Sequence, residues 1–393
     1  MSNTLQQDSL SLGGTTSGVT IPIVKTPAYI EKLNSLAHHD EVLAAVGYVV
    51  KELSSEELEG KKRCSGCGKQ MSQVMPKKAK NKNNKKPPPD KDVSGQLEAC
   101  IISSPAKDTT SDSPLNKGDI PASNEPHMRC KFHSGLLQFK VWSCCGGNPM
   151  DAPCTKHEFH IPRPYAAGEI ERLWQFHSTG GGKRQSSYRK AVAIDCEMGT
   201  AKSGDSELIR ITLLDYFSGQ ILIDKLVYPD VPMLHFNTRY SGVRRIDLNN
   251  ARREGSCFYG RNSARTAILK FVGPSTVIVG HSAQNDLKSL RWIHHKIVDT
   301  YIIESSLKEA AERMLKESSL TTPPEPPNSL DVNPKKEEDR QKSSKGRGML
   351  SLKTLSKVKL GRDIQTGRNG HDSVEDALAA RDLVHFYLTN SIH

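Results

Sequence analysis

The chain has 393 residues with 55 Lys and Arg against 44 Asp and Glu, a net charge of +11, and only 36% hydrophobic and 6% aromatic content. At roughly 150 residues per domain this length suggests two or three domains, and the low apolar content indicates that part of the chain builds no core. No apolar run approaches the ~20 residues of a membrane-spanning helix. The first 27 residues contain no Arg and no apolar block following a basic start, so no targeting signal is evident. A soluble intracellular protein is expected, with a charge compatible with a polyanionic partner.

Residues 1–27 are expected to be disordered. The nine cysteines are Cys64, Cys67, Cys100, Cys130, Cys144, Cys145, Cys154, Cys196 and Cys257. An odd number in a reducing compartment argues against a disulfide framework, and six of them sit with histidines in two groups. A zinc-binding module is therefore expected over 28–165. Cys64-x₂-Cys67 and Cys130-x₂-His133 each have a spacing that lets two ligands of one turn reach the same tetrahedral zinc. Cys144, Cys145 and Cys154, with His157 or His160, complete eight ligands, enough for two Cys₃His sites. Between the groups lies a low-complexity stretch, about 72–126, that includes Cys100 and the run KKAKNKNNKKPPPDK (77–91) with seven lysines. Such a run reads as a nuclear-localisation or RNA-tethering tract. Residues 166–187, ending in STGGGKRQSS, read as a linker. GGGKR (180–184) lacks the Ser or Thr and the spacing of a phosphate-binding loop.

From 188 onward the pattern becomes that of an ordered α/β domain. KAVAIDCEM (190–198) is a short apolar strand, and SELIRITLLDYF (206–217) with QILIDKLVYP (220–229) reads as a hairpin turning at Ser218-Gly219. A helix is expected over 262–273, a buried strand at TVIVGH (276–281), a helix capped by Ser282 through His295, and a strand at KIVDTYII (296–303). The last helix, 373–390, carries Ala377, Ala380, Val384 and Tyr387 along one stripe. Strands first, then helix–strand alternation, give a mixed sheet flanked by helices.

Four acids stand out within this domain. Asp195 and Glu197 are two apart in a strand, so they share a face. Asp286 and Asp376 each lie in a first helical turn, where an acid complements the helix dipole, and Ser373 to Asp376 also fits a capping box. Each has a structural explanation alone. Together, at an edge where strand ends and helix starts converge, they could hold two hard divalent cations ~4 Å apart. Such a pair stabilises both the attacking water and the leaving 3′ oxygen of a phosphodiester. His371, next to the flexible Gly370, would be free to take the water's proton.

On AIDCEM, GHSAQNDLKSL and GHDSVEDALAA, residues 190–393 resemble the DEDDh exonuclease superfamily. TRYSGV (238–243) and VDT (298–300) narrow the resemblance to its eukaryotic RNA exonuclease branch. The resemblance implies an RNase H-like fold over 188–393 and removal of 5′-mononucleotides from the 3′ ends of single-stranded RNA, with DNA as the alternative substrate. It implies that Asp195, Glu197, Asp286 and Asp376 bind two Mg²⁺ or Mn²⁺, that His371 is the general base, and that Met198 and Gly199 help hold the terminal nucleotide. The histidine five residues before the last acid marks the His subclass. In that branch a segment like LSLKTLSKVKLG soon follows VDT, so 306–347, rich in Pro and mixed charge, is expected to be an insertion. The N-terminal cysteines resemble the zinc-binding region that precedes the nuclease in larger members, with His160 at the family spacing and the zinc in a structural role. A zinc-dependent adaptor with an inactive nuclease fold is the other class, but the intact acids and His371 speak for catalysis. Nuclear localisation is the expectation.

Overall fold

The computed structural model describes residues 22–74, 128–181, 187–320, 350–367 and 370–390. Cys100, the lysine run 77–91 and Lys183-Arg184 lie outside them. The chain divides into two units, one of residues up to Leu58 together with Tyr165–His393 and one of Glu59–Pro164.

The larger unit is organised around strand β1 (Ala191–Ala201), whose first four side chains are all buried. Burial on both faces marks a central strand. Antiparallel to it runs β2 (Ser206–Asp215), followed by β3 (Ile221–Tyr228), and a short β4 (Met233–His235) pairs with the far end of β1. The remaining strands are β5 (Phe258–Tyr259), β6 (Val277–Gly280) and β7 (Ile297–Asp299), all parallel to their neighbours, in the sheet order β5-β3-β2-β1-β6-β7. Helices cover both faces. Val192, Ile194 and Cys196 pack with Ala264 and Ile268 of a helix at Gly260–Ile268 and Leu287 of a helix at Gln284–Ser289. Ala191 and Ala193, on the other face, pack with Ala377 and Val384 of the last helix, Ser373–Thr389. The stripe expected on that helix is buried throughout, and the α/β class with a mixed sheet flanked by helices is the observed one.

In chain order the helices used below are α1 (Pro27–Ser35), α2 (Asp40–Ala45), α3 (Arg245–Arg253), α4 (Gly260–Ile268), α5 (Gln284–Ser289), α6 (Thr300–Leu320), α7 (Leu352–Leu360) and α8 (Ser373–Thr389). Several boundaries differ from expectation, among them the helix expected over 262–273, which runs Gly260–Ile268. Ser282 does not cap α5: it takes φ +56°, and its main-chain N–H goes to Asp299 Oδ1 at 2.9 Å. The helix stops at Ser289 because Trp292–Ile293 is drawn into parallel pairing with His177–Ser178. The strand KIVDTYII ends at Asp299, and Thr300 opens α6, so the start of the expected insertion, 306–320, is helical; residues 321–349 lie outside the described ones.

The expected domain division also differs. Residues 22–58 pack with the sheet unit rather than with the cysteines. Thr26 caps α1 by accepting from the Tyr29 amide at 3.1 Å, with Pro27 in the first helical turn. Leu33 joins the cluster on the α8 face, and Leu43 and Tyr48 join the cluster on the other. Residues 166–179 are not a free linker either: Ile170 and Phe176 are buried, and Trp174 stacks under the Arg291 guanidinium, 4.0 Å from its ring centre.

The smaller unit has little apolar core, chiefly Cys64, Met71 and Cys130 with Phe132 against them. Cys130–Phe132 pairs antiparallel with Thr155–His157, and Leu137–Gln138 with Val141–Trp142. A unit this small normally needs a metal or cross-links to hold together.

Candidate active site and zinc sites

The alternation of β1 builds the carboxylate site. Ala191 and Ala193 lie on the face that meets α8, and Asp195 and Glu197 continue that face toward the helix start, where Asp376 sits. Beyond Glu197 the pairing with β2 shifts by a bulge, so this face is re-aimed just after the second acid. The Thr212 hydroxyl, opposite Asp195 in β2, hydrogen-bonds Ser373 Oγ at 2.7 Å and fixes the first residue of α8 to the sheet. Ser373 is therefore not the helix cap. Asp372 is, accepting from the Val374 amide at 3.1 Å, and the expected capping box from Ser373 to Asp376 is not formed. That removes the capping explanation for the Asp376 side chain. Asp286, in the first turn of α5, accepts from the Cys196 main-chain amide, which brings the third acid to the same place.

These acids are disturbed by desolvation and by neighbouring negative charge. Burial, then Asp286, Asp376 and Glu197, pushes Asp195 well above the usual carboxylate range, with Arg210 opposing. Burial and Asp376 raise Glu197 to about 9. Burial and the Asp299 charge raise Asp286, and burial raises Asp376 to about 7 against its hydrogen bonds. Carboxylate oxygens are the donors hard divalent cations prefer, but among the described residues only two Cys/His quartets of the smaller unit bring three or more ligand atoms within 4.8 Å of one another.

His371 stands at the edge of this group, with Nδ1 3.8 Å from Asp376 Oδ2 and two-fifths of its side chain exposed. Partial burial and the nearby Lys353 lower its pKa, so the imidazole is neutral and able to accept a proton near pH 7. Gly370 is not a flexible spacer, contrary to expectation. It adopts φ +92°, and a Cβ there would meet the Gly242 amide nitrogen, Gly242 Cα at 2.6 Å and Tyr240 O at 2.9 Å. The His371 amide donates to the same Tyr240 carbonyl at 2.6 Å. The segment TRYSGV thus serves as the surface on which the histidine loop is pressed.

Several supporting residues are not evident in the sequence. Gln365 Nε2 donates to both Asp376 oxygens, at 3.1 and 2.9 Å, and its own amide donates to Glu375 Oε2 at 2.8 Å. Asp299, fully buried, accepts from Ser282 and Tyr301 amides through Oδ1 and from the Ala283 amide and Tyr48 hydroxyl through Oδ2. It therefore ties the turn before α5 to the N-terminal segment. The one signal for Asp299 is its place in VDT; Gln365 and Tyr48 carry none.

Of the two substrate-holding candidates, Gly199 has a packing reason for its lack of a side chain. A Cβ would meet Met233 Cε at 2.6 Å and His235 O at 3.0 Å, so β4 could not close on β1. Met198 is half-buried, and its carbonyl accepts from Asn237 Nδ2 at 3.1 Å.

In the smaller unit two quartets bring one ligand atom per residue within 4.8 Å of one another: Cys64, Cys67, Cys130 and His160, and His133, Cys144, Cys145 and Cys154. His160, not His157, joins the first. Cys130 and His133 do not share a site, contrary to the knuckle reading. Cys130 lies in an extended strand, where residues three apart point to opposite faces and stand roughly 10 Å apart. The strand thus links the two sites instead of closing one. Cys64 Sγ is 3.6 Å from Cys130 Sγ, Cys67 Sγ 3.4 Å from His160 Nδ1, and Cys145 Sγ 3.5 Å from His133 Nδ1. These are close to the edge of a tetrahedron with zinc–sulfur bonds of ~2.3 Å. Burial opposes ionisation of Cys64, but the Cys67 amide and His160 outweigh it and bring the thiol to about 6. Residual desolvation opposes ionisation of the exposed Cys144 too, and the Gly135 amide, Cys154 and His133 outweigh it, bringing this thiol also to about 6. One readily ionised thiol per quartet suits a thiolate-binding metal.

No protein-family model matches the chain. RNA exonuclease 3 of Eremothecium gossypii is 30% identical over 283 residues, covering 69% of this chain and 60% of the relative. The apoptosis-enhancing nuclease of Rattus norvegicus is 34% identical over 198 residues, covering 49% of this chain and 47% of the relative. Among solved structures, the pseudoubiquitin hydrolase–RNA exonuclease module of Saccharomyces cerevisiae Pan2 aligns with 56% of this chain and 33% of its own, at 22% identity and a TM-score of 0.36. The chain spans about half to three-fifths of the length of the curated relatives named. The first match is longer than the whole of residues 190–393, so it reaches into the N-terminal half. With curated exonucleases as relatives, and with the acids of AIDCEM, GHSAQND and GHDSVED gathered beside a neutral histidine, the chain belongs to the DEDDh 3′–5′ exonuclease superfamily.

Proposed function

We propose that the protein is a metal-dependent 3′→5′ exoribonuclease that releases nucleoside 5′-monophosphates from RNA. The observation that carries this is that Asp195 and Glu197 continue the β1 face that meets the start of α8, where Asp376 stands 3.8 Å from His371, with the Asp286 charge acting on both strand acids. These four carboxylates would hold two Mg²⁺ or Mn²⁺, which supply charge stabilisation to the attacking and leaving oxygens of the phosphodiester. His371, neutral and held by its amide to Tyr240, accepts a proton from the attacking water. Gln365 orients Asp376, and Asp299 fixes the turn that delivers Asp286. The names of the relatives support RNA over DNA. The two quartets would bind one zinc each in a structural role, since each consists of three thiols and one imidazole, the donor set of a closed structural site. The lysine run 77–91 supports a nuclear location.

The test is digestion of 5′-labelled single-stranded RNA and matched DNA, with Mg²⁺ or with chelator. RNA should shorten stepwise from its 3′ end, faster than DNA, and only when the cation is present. An unshortened RNA ladder with Mg²⁺ and Mn²⁺ overturns the reading, and faster loss of DNA reassigns the substrate.

A further inference from the structure

Beyond the carboxylates, at the far end of β1, lies a cavity of about 400 Å³ that the chemistry above does not use. Its floor is fixed to the catalytic strand: β4 pairs with Thr200 and Ala201, and the Lys202 amide donates to Pro232 O at 2.7 Å. Its walls combine rings and cations. Arg245 lies over the Phe236 ring at 5.3 Å, and the Tyr228 ring is backed at 4.7 Å by Arg252, which is not itself part of the lining. Lys202 and Arg245 line the opening, both exposed, and no carboxylate pairs with either among the described residues.

We infer that this cavity is a second nucleotide-binding subsite, which holds a base and phosphate of the substrate strand upstream of the end being cut. The inference rests on the exonuclease reading. A ring face extended by a guanidinium plane is a stacking platform that accepts any base, and a lysine and arginine at its rim meet the phosphates. Position favours the strand over a free nucleotide. Lys202 follows the end of β1, five positions after Glu197, roughly 17 Å at ~3.3 Å per residue and within the reach of a few nucleotides. The segment that ends at Phe236 also continues directly into TRYSGV, against which the His371 loop is held.

The experiment measures binding of fluorescent oligoadenylates of three and twelve nucleotides to the full chain in chelator, which stops cleavage. Wild type is compared with the double variant Lys202→Ala, Arg245→Ala, with thermal melting as the check on folding. The twelve-nucleotide strand should bind roughly tenfold or more weakly to the variant, and the slope of log affinity against log salt should fall by about two, one for each phosphate left without a cation. The three-nucleotide strand should weaken much less. Equal weakening at both lengths, or none at either, overturns the subsite. So does AMP competing for the cavity in wild type without any dependence on strand length, which would assign it to free nucleotide. Digestion by the wild type with Mg²⁺ is scored separately, so failure of the nuclease reading is not confused with failure of the subsite.

Discussion

Asp376 and His371 lie 3.8 Å apart yet should fail differently. Asp376→Asn keeps the shape of the side chain but removes one of four charges, so activity should fall by orders of magnitude with the fold intact. His371→Ala removes the proton acceptor, expected to cost roughly 10²–10⁴-fold, and leaves the four acids. A calorimetric Mn²⁺ titration should show weakened binding for Asp376→Asn and unchanged binding for His371→Ala. Undiminished turnover in Asp376→Asn would return that residue to a structural role. The acids also set a pH dependence. Glu197 and Asp376 are raised in the fold, from 4.5 to about 9 and from 3.8 to about 7, so between these limits the native state holds more protons than the unfolded one. Stability without cation should therefore be greatest in acid and decline as pH rises from about 4.5 toward 9. Mg²⁺ or Mn²⁺ should reverse the decline. A thermal midpoint in chelator that rises over this range contradicts the clustering.

Among the secondary elements, the strand Cys130–Phe132 makes the two quartets neighbours without making them one site. Cys64→Ser and Cys144→Ser should each remove one zinc and leave the other, as read by metal analysis of the purified protein. The Cys64 variant should be the more damaging to folding, because its quartet is also the small apolar core of the unit, whereas Cys144 is exposed. Loss of both zincs from either variant would show that the sites bind as one cooperative cluster.

Taken as a molecule, the sheet unit is larger than the motifs it carries. Ile23, Leu33, Leu43 and Tyr48 are each no more than 6% exposed, in the two clusters that flank the sheet. Burying such a side chain contributes about 1.5–3 kcal/mol, so deleting the segment forfeits an amount comparable with the whole net stability of a domain, about 5–15 kcal/mol. A fragment of residues 186–393 also loses Tyr48 from Asp299. It should be poorly folded and inactive, whereas residues 22–58 supplied on the same chain should restore both. Circular dichroism and Mg²⁺-dependent digestion decide this, and a stable, active 186–393 fragment refutes it.

The sheet and its acids are legible in the sequence alone, because alternation in a strand and first-turn positions in a helix are local properties. Asp195 and Glu197 share a face for the same reason that Ala191 and Ala193 do, and motif spacing carries Asp286, His371 and Asp376 with them. The members of the two quartets are legible as residue types, and the choice of His160 over His157 comes only through the resemblance to the zinc-binding region of larger exonucleases. The remaining features depend on groups distant in the chain. Whether Cys130 and His133 share a zinc turns on whether their segment is a turn or a strand, and pairing with Thr155–His157 makes it a strand. Gly370 reads as a hinge in isolation, but folding places Gly242 against it. Ser282 reads as a cap in isolation, but Asp299, 17 residues on, accepts from its amide. Tyr48 lies 251 residues from Asp299, and no local pattern encodes a hydrogen bond across that separation.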